Sequence, residues 1–311
     1  MKRFWLVTGA GGFIGARVCR LLFAKSERFI GFLRPGEPEP RAGDGASWPE
    51  DAFRVVDLRD AETTSRRVAE IAPSLVLNLA AVGVNPSGGE QTVDFVDLNV
   101  RVPGLLCDAM PKDAVLVQVG SMSQYASGKG VLAEDTAGLA DATLYAWSKN
   151  AAETLLGTLV ARSRKAVVRA RLFGVVGPGE APHRLLPSIV AGCREGRPIE
   201  LSDGLQVRDV LHVDDVAAAL VHAARAPELV GKAVNVGRGE GRTVRDMAER
   251  AARRLGCEPL LRFGVLERRP GEAQQLVADV SRLRASGFTP ATGFDDAIDR
   301  ATDEIAASQG R

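Results

Sequence analysis

The feature that most constrains this sequence is the regular alternation of short apolar runs with longer helical patterns through its first half. Residues 4–7, 29–33, 75–79 and 115–119 are apolar runs of strand length, and helical patterns lie between them. Such alternation is typical of βαβ units, whose strands lie parallel in one sheet. The continuous apolar run at 75–77 indicates a strand covered by helices on both faces. The sequence therefore predicts an α/β fold with a doubly wound parallel sheet.

The first apolar run leads directly into a glycine-rich segment. Gly9, Gly12 and Gly15 have the spacing Gly-x-x-Gly-x-x-Gly, which starts where the strand ends and runs into a helix. Glycines let the backbone approach a pyrophosphate at the positive end of that helix. The pattern alone is also compatible with a tight turn. In this position, with Phe13 and Ile14 between the glycines, it predicts a Rossmann-type dinucleotide site.

After residue 177 the sequence has shorter helices, more loops, and more proline and glycine. We therefore expect a dinucleotide-binding domain over residues 1–177 and a smaller α/β substrate-binding domain over residues 178–311. Strand-like runs within residues 207–237 are expected to rejoin the main sheet. The site is expected in the cleft between the two domains.

Composition argues against several classes of function. Forty lysine and arginine residues against thirty-nine aspartate and glutamate residues leave a net charge of +1, with no basic run to bind nucleic acid. Four isolated cysteines indicate a reducing compartment and no metal site. The N-terminal apolar run is too short for a signal peptide, and no stretch is long enough to span a membrane. We expect a cytoplasmic protein with neither nucleic-acid nor membrane partners.

The choice between NAD and NADP depends on the end of the second strand. In NAD-binding proteins an acidic residue about twenty positions after the glycines holds the adenosine 2′-hydroxyl. Here the strand ends in Leu33 and Arg34, without an acid. Arg34 either pairs with a 2′-phosphate, which slightly favours NADP, or is a solvated residue at the start of a loop. Asp57 follows the third strand and is placed to reach the adenine, to cap the next helix, or to do both.

A candidate catalytic pair lies on the predicted helix over residues 144–163. Tyr145 and Lys149 are four positions apart and hence on one helical face. A nearby ammonium favours the phenolate and lowers the tyrosine pKa from its usual value of about 10. Ser121 ends the preceding strand, where parallel sheets place their active sites. It is either a donor to the substrate oxygen or an ordinary turn serine.

These patterns together resemble the short-chain dehydrogenase/reductase family, and further motifs resemble its extended branch of sugar-nucleotide epimerases, dehydratases and reductases. The motifs span nearly the whole chain: Asp57-Leu58, Asn78-Leu79-Ala80-Ala81, Asn99-Val100, Arg171-Leu172-Phe173, Gly177-Pro178-Gly179, residues 206–215, Asn235-Val236-Gly237 and Arg269-Pro270-Gly271-Glu272.

The resemblance implies roles for individual residues. Tyr145 would be the general acid/base, Lys149 would bind the nicotinamide ribose and lower the tyrosine pKa, and Ser121 would polarise the reacting oxygen. Arg208 and Arg269 would grip the diphosphate of a nucleotide-linked sugar, because guanidinium groups match phosphate oxygens. The expected cofactor contacts are Gly9, Gly12, Phe13, Ile14, Gly15, Arg34, Asp57, Leu58, Leu79, Ala80, Ala81, Asn99, Tyr145 and Lys149. The expected substrate contacts are Ser121, Ser123, Arg208 and Arg269.

The sequence also departs from the branch at several positions. Met122 and Ser123 occupy the place of the acidic pair of its dehydratases, which argues against 4,6-dehydration. Gly174 replaces a customary asparagine, and Val102-Pro103 replaces Gly-Thr. The expected function is NAD(P)-dependent reduction of a nucleotide-linked keto-sugar at a Ser-Tyr-Lys site. The alternatives are an NAD-retaining nucleotide-sugar epimerase and, in another class, a non-catalytic NAD(P)-binding regulatory module. The resemblance also implies a homodimer.

Overall fold

The apolar runs form strands and the periodic stretches between them form helices in the computed structural model, which describes residues 4–43, 46–83, 91–125, 130–136, 143–268 and 271–309. The strands are β1 (Phe4–Thr8), β2 (Arg28–Leu33), β3 (Phe53–Val55), β4 (Leu75–Asn78), β5 (Val115–Ser121), β6 (Val131–Leu132), β7 (Ala166–Leu172), β8 (Gly174–Val176), β9 (Ile199–Leu201), β10 (Val207–Arg208), β11 (Val210–His212), β12 (Ala233–Val236), β13 (Arg242–Thr243), β14 (Leu261–Phe263) and β15 (Gln275–Ala278).

The helices are α1 (Phe13–Ala24), α2 (Ala61–Ile71), α3 (Thr92–Asp94), α4 (Val102–Ala109), α5 (Leu144–Ser163), α6 (Leu185–Glu195), α7 (Val213–Ala223), α8 (Val244–Leu255), α9 (Ser281–Ala285) and α10 (Phe294–Gln309). A π-helical stretch, Phe95–Arg101, joins α3 to α4, and short 3₁₀ turns lie at Met122–Gln124, Pro227–Leu229 and Glu258–Leu260.

The central sheet has seven strands in the order β12-β7-β5-β4-β1-β2-β3, and every neighbouring pair is parallel. Its middle strands β1, β4 and β5 are mostly apolar and almost wholly buried, as expected of strands covered on both faces. One core packs α1 and α7 on one face, and a second core packs α2, α4 and α5 on the other. The predicted doubly wound sheet is confirmed.

A smaller α/β part is formed mainly by residues after 176. Its core lies between α6, α8 and α10 and includes Leu186, Ile189, Met247, Ile298 and Ile305. Short strand pairs, such as β14 with β9, complete it. Among the described residues, no helix has both the length and the apolar character needed to cross a bilayer.

The segment 207–237 rejoins the main sheet only in part. β12 lies at the sheet edge beside β7, whereas β11 pairs with β8 in a separate two-stranded sheet and β10 pairs with β13 and β15. The expectation that the strands around 207–213 join the main sheet therefore needs correction. β12 occupies the position next to β7, and Gly174 lets β11 pack closely on β8, because a methyl group on Gly174 would lie 2.6 Å from Val210 Cγ1.

The order of the strands in the central sheet indicates where a ligand-binding crevice lies. The chain passes from β1 to β2 on one side and later returns to place β4 on the other side of β1. In such sheets, ligands bind beyond the carboxyl ends of the strands at this point of reversal. The glycine segment after β1, the segment after β4 and the end of β5 all meet there.

Candidate active site

The glycine segment makes a tight turn into α1. Gly9 has φ of +63°, the amide of Gly12 donates to its carbonyl at 3.1 Å, and α1 begins at Phe13 with Gly12 as its N-cap. A methyl group on Gly15 would lie 2.0 Å from the Gly9 carbonyl oxygen. The first amides of a helix have no partner within the helix, so those of α1, near Phe13 and Ile14, suit an anionic group.

The segment after β4 lies against this turn. The amide of Ala80 donates to Thr8 Oγ1 at 3.2 Å, and a methyl group on Gly9 would lie 2.8 Å from the Ala80 nitrogen. Leu79 packs partly against the core, and Ala81 is exposed. The predicted contacts at 79–81 therefore lie beside the glycine turn.

Asp57 and Leu58 follow β3. The carboxylate of Asp57 pairs with Arg59 at 3.1 Å, and this hydrogen bond holds the Asp57 pKa below its ordinary value. The N-cap of α2 is Asp60, whose side chain accepts from the Thr63 amide, so the alternative that Asp57 caps this helix is wrong. Leu58 is buried in the core.

Asn99 is fully buried on the π-helical stretch. Its Oδ1 accepts from the Val82 amide at 2.9 Å, and its Nδ2 donates to the Val82 carbonyl at 3.1 Å and to Ser148 Oγ at 2.9 Å. Both amide hydrogens are thus used within the protein. Asn99 ties the segment after β4 to the residue beside Lys149.

Glu37 lies over the glycine turn, and the exposed side chain of Arg34 pairs with it, with Arg34 Nε 4.0 Å from Glu37 Oε1. The Arg34 side chain is 82% exposed, whereas that of Glu37 is 17% exposed. The Arg34 amide donates to Glu37 Oε2 at 3.1 Å. A methyl group on Gly11 would lie 2.6 Å from the carboxyl carbon of Glu37. The loop after β2 therefore places an acid over the glycine segment, and the more exposed arginine is paired to that acid.

Ser121, Tyr145 and Lys149 come together at the end of β5. Ser121 Oγ accepts from the Ser123 amide at 3.1 Å, and a hydrogen bond to Ser121 acts on the pKa of Tyr145. Lys149 Nζ lies 5.7 Å from the centroid of the Tyr145 ring and donates to the Val119 carbonyl at 3.1 Å. Thr143 caps α5 by accepting from the Ala146 amide, which fixes the start of the helix that carries the pair.

Burial dominates the electrostatics of this pair. It raises the pKa of Tyr145, and the Ser121 hydrogen bond and the Arg184 charge only partly oppose this rise. It lowers the pKa of Lys149 to about 8.

A cavity of about 330 Å³ opens next to Met122 and is lined by Glu180, Arg184, Arg208 and Arg268, among others. Arg208 is 12% exposed and pairs with Glu272 at 2.6 Å, so a phosphate bound there would compete with that carboxylate. The predicted substrate contact Arg269 lies outside the described residues.

The sequence profile of the NAD dependent epimerase/dehydratase family matches residues 5–237 of this chain. The chain belongs to this family. As a member of the family's extended short-chain dehydrogenase/reductase type, it is an NAD(P)-dependent enzyme. The predicted family and enzyme class are confirmed, and nothing supports a non-catalytic regulatory module.

Relatives within the family differ in activity. The dTDP-4-dehydro-6-deoxy-D-allose reductase of Streptomyces sp is 27% identical over 89% of this chain and 88% of its own. The UDP-glucose 4-epimerase of Thermus thermophilus, solved with NAD, is 27% identical with a TM-score of 0.81 and covers 97% of this chain and 98% of its own. MoeE5 is 28% identical, covers 98% of this chain and 99% of its own, and was solved with NAD and UDP-glucuronic acid at a TM-score of 0.82 or UDP-glucose at 0.81.

Motif reasoning missed four charged residues that the fold brings to the site: Glu37, Glu180, Arg184 and Arg268. The only available clue was for Glu37, which lies about twenty residues after the last glycine, where an acid is expected in NAD-binding proteins. It was overlooked because it follows the strand end by several residues, in a loop whose path the sequence does not give.

Proposed function

We propose that this protein is an NAD-retaining epimerase, which oxidises and re-reduces one carbon of a nucleotide-linked sugar. The observation that carries the proposal is the carboxyl group of Glu37 beside Gly11, where it also pairs with the exposed Arg34 and so occupies the guanidinium that a 2′-phosphate would need. An acid in this place holds a ribose 2′-hydroxyl and repels a 2′-phosphate. The sequence favoured NADP, and hence a reductase, because no acid ended the second strand. Glu37 supplies that acid from the following loop, so NAD is now favoured.

The residues around the crevice fit a dinucleotide. We propose that the glycine turn and the first amides of α1, including those of Phe13 and Ile14, hold the pyrophosphate, while Glu37 holds the adenosine ribose. Asn99 positions the segment after β4 rather than contacting the cofactor, because both its amide hydrogens are engaged. When bound, NAD supplies the hydride acceptor and donor that oxidation and reduction of a sugar carbon require.

Tyr145 moves the proton in this proposal. As the phenolate it takes the hydroxyl proton while the sugar carbon is oxidised, and the phenol so formed returns that proton when the carbonyl is reduced. Lys149, with its pKa at about 8, is mostly protonated at pH 7, so its ammonium stabilises the phenolate that accepts the hydroxyl proton. Ser121 donates to the reacting oxygen, and Ser123 and Arg208 contact the substrate.

Two related reactions are less well supported. Dehydration needs a proton donor and acceptor after the serine, and Met122 and Ser123 stand there. Reduction that consumes NADPH needs a site for the 2′-phosphate, which Glu37 opposes. We further propose that residues 1–177, joined by β12, hold the cofactor and that residues 178–311 hold the sugar nucleotide.

The test begins with the nucleotide that copurifies with the protein. We expect tightly bound NAD, conversion of UDP-glucose or dTDP-glucose to an epimer without added cofactor, and preference of the stripped protein for NADH over NADPH. Glu37→Ser should shift that preference toward NADPH by at least about tenfold. Its matched control is Glu39→Ser in the same loop, at an exposed position. A stripped protein that prefers NADPH and consumes it with a keto-sugar would establish a reductase instead.

A further inference from the structure

The cavity beside Met122 contains a buried carboxyl group that none of the roles above uses. The side chain of Glu180 is only 6% exposed and lines this cavity. Its Oε2 has no hydrogen-bond partner among the described residues. Its Oε1 lies 3.7 Å from Nε of Arg184, whose charge also acts on Tyr145. One oxygen of the Glu180 carboxyl group is therefore buried and unsatisfied in this cavity.

A buried acceptor without a donor is unfavourable, and such groups in native proteins normally find a partner. In a cavity, that partner is a ligand or water. A sugar ring offers several hydroxyl donors, each of which would satisfy Glu180 Oε2. Met122, which directly follows Ser121, lines the same cavity, and on this ground we assign the part of the cavity around Glu180 to the sugar.

We propose that Glu180 is a specificity-determining residue that accepts a hydrogen bond from a sugar hydroxyl and excludes sugars that carry a carboxylate. The substrate class is then a neutral hexose on a nucleoside diphosphate, not a hexuronic acid. This inference rests on the proposed function, since it takes a nucleotide-linked sugar as the substrate.

The charges around the cavity support exclusion of an anionic sugar. Arg208 pairs with Glu272 at 2.6 Å and Arg268 with Asp203 at 2.7 Å. Arg184 faces Glu180. A hexuronate would place a second carboxylate beside that of Glu180, and juxtaposed like charges are strongly unfavourable. The ionisable and charged residues that line the cavity are Glu180, His183, Arg184, Arg208, Glu267, Arg268 and Glu272.

The ionisation of Glu180 gives the exclusion a pH dependence. Burial raises its pKa to about 7, against the opposing effects of Arg184 and the Gly177 backbone. The carboxyl group is therefore largely ionised at pH 8 and largely protonated at pH 6. A protonated carboxyl group no longer repels a hexuronate, so discrimination between the two sugars should weaken as the pH falls.

The experiment is calorimetric titration of the full-length, NAD-loaded protein at pH 8 with UDP, UDP-glucose and UDP-glucuronic acid. We expect UDP-glucose to bind at least about tenfold more tightly than UDP-glucuronic acid. Glu180→Gln keeps the shape and removes the charge, and it should bring the ratio of the two Kd values close to one. Glu195→Gln is the matched control, because Glu195 is 58% exposed at the far end of α6.

The outcomes separate this inference from the proposed function. A protein that binds neither UDP nor either sugar nucleotide, nor dTDP-glucose, overturns both. A protein that binds UDP-glucose and UDP-glucuronic acid equally, or whose Kd ratio is unchanged in Glu180→Gln, overturns the role of Glu180 alone. If Glu180→Gln does not fold, the wild-type ratio at pH 6 and pH 8 decides. An equal ratio at both pH values contradicts the inference, and a smaller ratio at pH 6 supports it.

Discussion

Lys149 is buried and Tyr145 is half-buried, and removal from water shifts each of them toward its neutral form. The Tyr145 pKa is raised and the Lys149 pKa is lowered to about 8. A neutral phenol in this position is a proton donor, and it becomes an acceptor only when something nearby stabilises its anion. The proposed chemistry therefore depends most on the hydroxyl group of Tyr145.

Replacing Tyr145 with phenylalanine removes that hydroxyl group while keeping the ring. We expect turnover to fall by about 10²- to 10⁴-fold, the usual contribution of a general acid/base, with the NAD content unchanged. Turnover and copurified nucleotide are measured on the same preparation. Tyr125→Phe is the control, because its hydroxyl donates to Asn235 at 2.6 Å. That variant should lose about 1 kcal/mol of stability and keep its activity, whereas full activity of Tyr145→Phe would exclude the proposed role.

The buried Glu180 also makes stability depend on pH. Its pKa rises on folding from 4.5 to about 7, so the folded state binds more protons between these values. The free energy of unfolding of the wild type therefore falls by about 3 kcal/mol as the pH rises through this window. That of the uncharged Glu180→Gln variant lacks this contribution. In urea unfolding, the free energy of unfolding of the variant relative to the wild type should therefore increase by roughly that amount between pH 5 and pH 8. An equal difference at both pH values would be the contrary result.

At the scale of elements, the glycine turn decides how closely β1 and α1 approach. Gly15 has no room for a methyl group, since its Cβ would lie 2.0 Å from the Gly9 carbonyl oxygen. With a side chain at residue 15, the turn would have to open before α1 could start. Opening the turn would move apart the first amides of α1, which converge where an anionic group would bind. Sequence spacing here translates directly into a binding geometry.

Gly15→Ala should destabilise the protein by about 1–3 kcal/mol through overpacking and lower its NAD content. Gly157→Ala in α5 is a matched control, because the nearest atom to its Cβ is Arg169 Nη1 at 3.7 Å. Alanine in a helix with space around it should be neutral or stabilise by up to about 1 kcal/mol. Thermal unfolding and nucleotide content check both variants. Normal stability and NAD content in Gly15→Ala would mean that the turn tolerates opening.

Across the whole molecule, the central sheet and the smaller part are joined by a buried carboxylate. Asp209 is fully buried between β10 and β11. It accepts from the amides of Arg238 and Gly239, both at 2.8 Å, and from that of Ala278 at 3.1 Å. These amides follow β12 of the main sheet and end β15 of the smaller part. One side chain therefore connects three segments that border the cleft.

Asp209→Ala would leave three buried amides without an acceptor, and each unsatisfied group costs about 1–3 kcal/mol. We expect a loss of at least about 3 kcal/mol in the free energy of unfolding, measured with urea. Asp108→Ala on the exposed face of α4 is the control and should change stability by less than about 0.5 kcal/mol. A small effect at Asp209 would show that water replaces the carboxylate.

The sequence by itself determined the doubly wound sheet, the glycine turn, the placement of Tyr145 and Lys149 on one helical face, and the family. Each of these follows from spacing among residues close in the chain, and such spacing survives whatever the rest of the chain does. It also predicted that a smaller α/β part follows the sheet. It placed the strands around 207–213 wrongly, because which strand occupies the edge beside β7 depends on competition between distant segments.

Only the tertiary structure decided which charged side chains enter the crevice. Arg34 and Glu37 lie in the same loop, yet one is exposed and the other lies over Gly11. Glu180 follows the Gly177-Pro178-Gly179 motif without belonging to it, and its burial results from packing around the cavity. Solvation and charge pairing depend on neighbours brought together from distant parts of the chain. The cofactor preference and sugar specificity that we propose therefore depend on the folded molecule, whereas the fold class was already present in the local pattern.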